Sequence, residues 1–277
     1  MQKITVLGAS GFVGSNLVKK IEKMQIDAFL PAKGDESIFE RNLNNVIYCI
    51  GMTADFRTKP FETVEAHVSF LAKVLEKCKF DSFLYLSSAR IYIANNLSEV
   101  ATEDQPISVN PVTDPNDLYN ISKLMGESLC LNCNKPGVRI ARLSNVFGSD
   151  FDSSNFLTDI LKDIISKQKI VLRTSLVSEK DYISVDDVCY LLLKVLLSGK
   201  KQVYNIVSGR NISNNQILNK IREFMPFDLK VVEDAPTIKF PPISNERVKQ
   251  EFDFRPTKTL LEEIPILIHA YQDAMNV

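Results

Sequence analysis

Short apolar runs alternate with amphipathic stretches from the first residues of this chain onward. Ile4 to Leu7, Ile26 to Leu30, Asn45 to Ile50, Ser82 to Leu86 and Val138 to Leu143 each have the length and composition of a buried strand. Between them, Ser15 to Ile21, Phe61 to Lys77 and Leu118 to Leu131 have helical periodicity. Strands joined through helices predict an α/β fold: a doubly wound parallel sheet with right-handed crossovers. In such sheets ligands bind beyond the C-terminal ends of the strands.

The turn after the first run, GASGFVG, carries glycines at Gly8, Gly11 and Gly14. Glycine spacing alone is a weak signal, but a strand before and a helix after make this turn a place for a phosphate. The glycines allow close backbone approach, and the helix N-terminus offers free N–H groups and a positive dipole end. Later the pattern changes. Phe156 to Ser166, Val185 to Leu197, Asn214 to Phe224 and Leu260 to Tyr271 read as helices. Ile170 to Leu172 and Gln202 to Val207 read as short strands, and Pro236, Pro241 and Pro242 cluster in a loop. A smaller C-terminal α/β lobe over the sheet is expected.

Composition excludes several classes. Thirty-three basic and 34 acidic side chains give a net charge of −1, with the signs mixed along the chain. Neither a nucleic-acid surface nor an anionic-membrane surface is expected. No apolar run is long enough to span a bilayer, and the first strand starts almost at Met1, leaving no room for a signal peptide. The five cysteines, Cys49, Cys78, Cys130, Cys133 and Cys189, suit a reduced cytoplasmic protein. Cys130 and Cys133 form one C-x-x-C without a second pair or a histidine cluster, so no metal is expected.

Three polar residues point to chemistry. Tyr119 and Lys123 are four apart in YNISK, so they share one helix face. An ammonium beside a phenol favours the phenolate, which makes Tyr119 a candidate general acid/base. Ser88 ends a buried strand on the same rim, where its hydroxyl can orient a reacting oxygen. Y-x-x-x-K alone is common; the glycine turn and the strand-end serine give it weight.

With these residues in order, the chain resembles the extended short-chain dehydrogenase/reductases, the NAD(P)-dependent epimerase/dehydratase family acting on nucleotide sugars. The resemblance runs through GASGFVG, VIYCIG, YLSSARIY, TEDQPISVNP, YNISKLMGE, RLSNVFG, DYISVDDV and FDFRPTKTLLEEI, nearly the whole chain. It implies a Rossmann-type NAD(P)-binding domain over residues 1–148. It also implies a mainly substrate-binding lobe over 149–277, with elements of about 181–207 returning to the sheet. Tyr119 then exchanges the sugar hydroxyl proton, Lys123 holds the nicotinamide ribose, and Ser88 steadies the oxygen. Gly8, Ser10, Gly11, Phe12, Val13, Gly14, Lys33, Ile50 and Gly51 are the further cofactor candidates. Arg90, Asn145, Arg173 and Lys180 join Ser88 as substrate candidates.

The chain departs from the family pattern in places. Ala89 and Arg90 stand where dehydratases carry an acidic pair, which argues against a 4,6-dehydratase. Lys180 replaces an arginine and cannot clasp a phosphate bidentately; Arg173 is a candidate substitute. Ile93 replaces a glycine. His67 stands where asparagine is common and reads first as a helix-packing residue. The second strand ends near Ala32 and Lys33 without the carboxylate that selects NAD, so NADP(H) is favoured over NAD(H). The expected function is a nucleotide-sugar ketoreductase or epimerase of surface polysaccharide synthesis, cytoplasmic, and a homodimer through the helices Phe61 to Lys77 and Leu118 to Leu131. A non-catalytic NAD(P)-sensing or scaffold protein and a reductase of a non-sugar carbonyl are the alternatives.

Overall fold

The computed structural model describes residues 3–53, 55–112, 114, 116–153 and 155–275. Its first half runs β1 (Lys3–Leu7), α1 (Phe12–Lys23), β2 (Asp27–Phe29), β3 (Asn45–Tyr48), α2 (Pro60–Val64), α3 (Phe70–Lys77), β4 (Ser82–Ser88), α4 (Asp117–Asn132) and β5 (Val138–Leu143). The second half adds β6 (Asn145–Phe147), α5 (Phe156–Lys167), β7 (Lys169–Leu172), β8 (Glu179–Ser184), α6 (Val185–Ser198) and β9 (Val203–Ile206). It ends with β10 (Asn211–Ser213), α7 (Asn214–Arg222), β11 (Asp228–Val231), α8 (Glu246–Phe252) and α9 (Leu260–Met275).

Six strands form one sheet in the order β2-β1-β3-β4-β5-β9, every neighbouring pair parallel. The central strands are apolar on both faces because both faces are covered. Ile4, Ile47, Leu84 and Ala141 share a core with Leu17 and Ile21 of α1 and Leu192 and Leu196 of α6. Val46, Phe83, Tyr85 and Ile140 alternate to the other face, onto Leu71 and Val74 of α3 and Cys130 of α4. The strand order switches between β1 and β3, which leaves a crevice beyond their C-terminal ends. From the second half, α6 shares this core and β9 pairs with β5.

Of the expected returning segment of about 181–207, only α6 and β9 lie on the six-stranded sheet, because β8 pairs with β6 and β10 instead. Val248 of α8 joins the first core as well, and most of the other elements build a second one. Leu161 and Ile164 of α5, Ile217 and Leu218 of α7, and Ile264 and Tyr271 of α9 pack together. Two small sheets flank them, β10-β8-β6 and β11-β7.

The structure corrects the sequence reading in three places. First, α1 begins at Phe12 rather than Ser15, so Gly14 lies in its first turn. A Cβ there would sit 2.2 Å from the Gly8 carbonyl oxygen, which explains why the turn closes so tightly. Second, the stretch from Phe61 to Lys77 is not one uniform helix. A wide π turn, Glu65–Ser69, separates α2 from α3. Tyrosine hydroxyls from the sheet reach carbonyls of this bulge: Tyr48 Oη donates to Ala66 O (2.7 Å) and Tyr85 Oη to His67 O (3.4 Å). Third, β6, β8, β10, β11 and α8 are elements the periodicity did not announce.

Candidate active site

The strand–turn–helix at the N-terminus fits a diphosphate. Gly8 has φ +87°, and a Cβ there would lie 2.9 Å from backbone atoms of Cys49 and Ile50, so the ends of β1 and β3 press together. Gly11 is different: a Cβ on it meets only Gly8 O, at 3.7 Å. It caps α1, whose first turn has no acidic residue and no side-chain cap. Ser10 is exposed in the turn, and Phe12 and Val13 open the helix. Uncapped N–H groups at a helix start, with open space at the capping residue, make an anion cradle. Ile50 and Gly51 follow β3. A Cβ at Gly51 would lie 3.2 Å from His67 Nε2 and 3.4 Å from Lys123 Nζ, so this loop, the π turn and α4 meet at one point.

Tyr119 and Lys123 are both buried on α4. Lys123 Nζ donates to Leu86 O of β4 (2.9 Å), and burial depresses its pKa to about 7. Tyr119 packs 5.1 Å from the Phe56 ring and edge-on, 5.4 Å, against His67. Its hydroxyl lies near enough to Ser88 to feel that side chain, and Ser88 Oγ accepts the Arg90 N–H (3.2 Å). Burial holds the phenol above its ordinary value, while the Ser88 hydroxyl and the Arg90 charge pull it back. The expected lowering by Lys123 is not the governing effect. Nζ is engaged on Leu86 O and sits 6.0 Å from the Tyr119 ring centre. The phenol is therefore protonated, the form in which it can act as an acid.

His67 does more than pack a helix. Its Nε2 accepts the Met52 N–H (3.0 Å), so Nδ1 carries the proton and donates to Ser122 Oγ (2.8 Å). Ser122 in turn donates to Tyr119 O (2.8 Å). Burial and the Lys123 charge push the imidazole pKa down to about 2, so the ring is neutral. It ties the loop after β3 to the turn of α4 that carries Tyr119.

Of the substrate candidates, Arg90 is bonded through its N–H to Ser88, and Lys180 lies near enough to feel the Arg90 charge. Lys180 has its pKa lowered to about 8 by burial and by the charges of Arg90 and Arg57. Asn145 is exposed at the start of β6, and its Nδ2 donates to Asp181 O (2.9 Å), tying β6 to β8. Arg173 is exposed just beyond β7. Phe56 and Arg57 were missed by the sequence reading; the adjacent aromatic and cation in DFRTK are the only signal. Lys33 is exposed beyond the end of β2, and Arg41 stacks 4.4 Å over the Phe29 ring that closes that strand. Among the described residues no cluster suits a metal ion, and no helix is long and apolar enough to cross a membrane.

Comparison with known proteins identifies the family and the fold. The NAD dependent epimerase/dehydratase family matches residues 4–207. GDP-6-deoxy-D-mannose reductase of Pseudomonas aeruginosa is 26% identical, over 84% of this chain and 83% of the reductase. The structure of RMD from Pseudomonas aeruginosa complexed with NADPH has a TM-score of 0.80 and 21% identity, covering 99% of this chain and 100% of that one. MoeE5 in complex with UDP-glucose and NAD has a TM-score of 0.83 and 16% identity, covering 99% of each chain.

Proposed function

The chain belongs to the NAD-dependent epimerase/dehydratase family, and on that premise we propose that it is a nucleotide-sugar ketoreductase or epimerase. The observation that carries this reading is the buried Tyr119 phenol, one helical turn from the buried Lys123 on α4, with Ser88 beside it and the Gly51 loop closing on Lys123. Bound NAD(P) would supply or accept the hydride. In the reducing direction Tyr119 gives its proton to the carbonyl oxygen, Ser88 holds that oxygen, and Lys123 holds the ribose. The Gly8–Gly14 turn takes the diphosphate. The second core, built on α5, α7 and α9 within residues 149–277, is the substrate lobe, and Lys180 stands on β8 over the Phe156 ring.

NADP(H) is the favoured cofactor in this proposal. Lys33 and Arg41 supply cations near the end of β2, and Asp35 is engaged in capping Ser37 N–H (2.9 Å). A place in surface polysaccharide synthesis in the cytoplasm completes the reading; five unpaired thiols suit a reducing compartment. A homodimer through α2, α3 and α4 is also proposed, since Phe61, Met125 and Leu131 there are exposed apolar side chains. Light scattering that gives a monomer at micromolar concentration would count against it.

The cofactor half is tested by thermal shift with NAD and NADP, followed by a panel of UDP-, GDP-, dTDP- and CDP-sugars. Gly11→Ala is the discriminating variant. It is expected to cost at most about 1 kcal/mol of stability, because the protein leaves room for the methyl group. It should weaken dinucleotide binding by about tenfold or more, because the methyl group occupies the cradle. Failure of any dinucleotide to stabilise protein that releases none on denaturation would overturn the reading.

A further inference from the structure

We infer that the sugar of the substrate itself carries an anionic group, a carboxylate, and that Arg90 with Arg57 recognises it beside Tyr119. The inference rests on the nucleotide-sugar reading above and names its substrate class: a nucleoside diphosphate-linked hexuronic acid.

The geometry centres on one aromatic ring. The Arg57 guanidinium lies 4.5 Å from the Phe56 ring centre and the Arg90 guanidinium 5.9 Å from the same centre. That ring packs 5.1 Å from Tyr119. Arg90 also follows Ser88 by two residues, and its backbone N–H is bonded to the Ser88 hydroxyl. Arg90 therefore stands beside Ser88, and Arg57 joins it on the ring that packs against Tyr119. Lys180 completes the group from β8, over the Phe156 ring at 4.5 Å.

Among the described residues no carboxylate lies within ion-pair distance of Arg57, Arg90 or Lys180, although ion pairs are formed elsewhere. Arg57 Nε donates to the Asn116 side chain (2.6 Å). Asp114 and Asp117 act on Arg90 only from beyond ion-pair distance. Asp114 accepts from the Asn116 N–H and side chain, and Asp117 from the Asn110 N–H and the Asn120 side chain. Arg90 Nε is buried with no hydrogen-bond partner. Burial and the Arg57 charge press the guanidinium toward losing its proton, a cost that an anion between the two would offset.

The position selects the anion. A diphosphate extends away from the reacting carbon, and Lys180 stands apart from the Phe56 ring, over Phe156. Arg90 and Arg57 are instead grouped with Phe56 and Tyr119. A carboxylate on the sugar ring is a planar partner for a guanidinium and reaches this place.

The test compares dissociation constants for UDP-glucuronate against UDP-glucose, and GDP-mannuronate against GDP-mannose, on protein saturated with NADP. In at least one pair the uronate is expected to bind about tenfold or more tightly than its neutral partner. In Arg90→Gln that preference should collapse toward unity while affinity for the bare nucleoside diphosphate stays. Arg57→Gln, on an exposed side chain, should reduce the preference as well and serves if Arg90→Gln does not fold. Equal binding of uronate and neutral sugar, with Arg90→Gln weakening the bare nucleoside diphosphate equally, would overturn the inference and leave the nucleotide-sugar reading standing. Binding of dinucleotide but of no sugar nucleotide would overturn both.

Discussion

Tyr119→Phe is expected to lower turnover by about a thousandfold, the middle of the range for loss of a positioned acid/base. The change removes one oxygen and little else. The Phe56 and His67 rings still pack against the ring at position 119. The melting temperature and the dinucleotide affinity should therefore stay near those of the parent protein. A variant that retains more than about a tenth of the turnover would remove Tyr119 from the chemistry.

Arg142→Met is expected to destabilise the protein by about 3–5 kcal/mol, because it strands a buried carboxylate. Arg142 on β5 and Glu127 on α4 form a buried pair, with contacts of 3.0 Å from Nε and 2.7 Å from Nη2. Ser87 donates to Glu127 (2.6 Å), and Arg142 Nη1 donates to the Tyr92 hydroxyl (2.6 Å) and Glu103 O (3.0 Å). This network fastens α4 to β4 and β5 directly beneath Ser88, Tyr119 and Lys123. Removing the arginine leaves Glu127 charged and without its counter-ion. Removing both partners, as Arg142→Met with Glu127→Leu, should recover much of the loss, since an apolar pair avoids desolvating two charges. Urea denaturation of both variants decides it. A loss below about 1 kcal/mol in the single variant would show that the pair contributes no more than a surface ion pair.

The central sheet was legible because its strands are buried on both faces and so stand out as apolar runs. Val138–Leu143 is predicted to the residue. The lobe strands were not, and their residues explain why. In β8, Glu179–Ser184, the buried Asp181 has no apolar pattern to declare it. It is held by N–H groups of Ser208, Gly209 and Arg210 (2.7–3.0 Å), contacts that only the tertiary fold creates. The π turn at Glu65–Ser69 was invisible for a similar reason: the hydroxyls that reach its carbonyls come from Tyr48 and Tyr85, on strands either side of it in sequence.

The site divides the same way. Ser88, Tyr119 and Lys123 could be found by spacing, because helix and strand geometry convert spacing into position. Asn145 followed the family motif, yet its side chain fastens two strands. Arg57 could not be found, since it meets Arg90 across the Phe56 ring from a single 3-10 turn, Asp55–Arg57, too short to show a periodicity. The electrostatics were the least legible part. Four-residue spacing put Lys123 beside Tyr119, but burial acts on both groups in opposite directions and leaves the phenol as the protonated partner.

The most direct test of hydride transfer at a sugar carbon is a single-turnover isotope experiment. The protein is loaded with one equivalent of 4-deuterated NADPH or NADH and mixed with a nucleotide-linked keto sugar, and the sugar nucleotide is weighed by mass spectrometry. One deuterium on the sugar, absent with Tyr119→Phe, is the predicted result for reductase and epimerase alike. Unlabelled sugar across UDP-, GDP-, dTDP- and CDP-linked substrates, with the deuterium still on the dinucleotide, would contradict it.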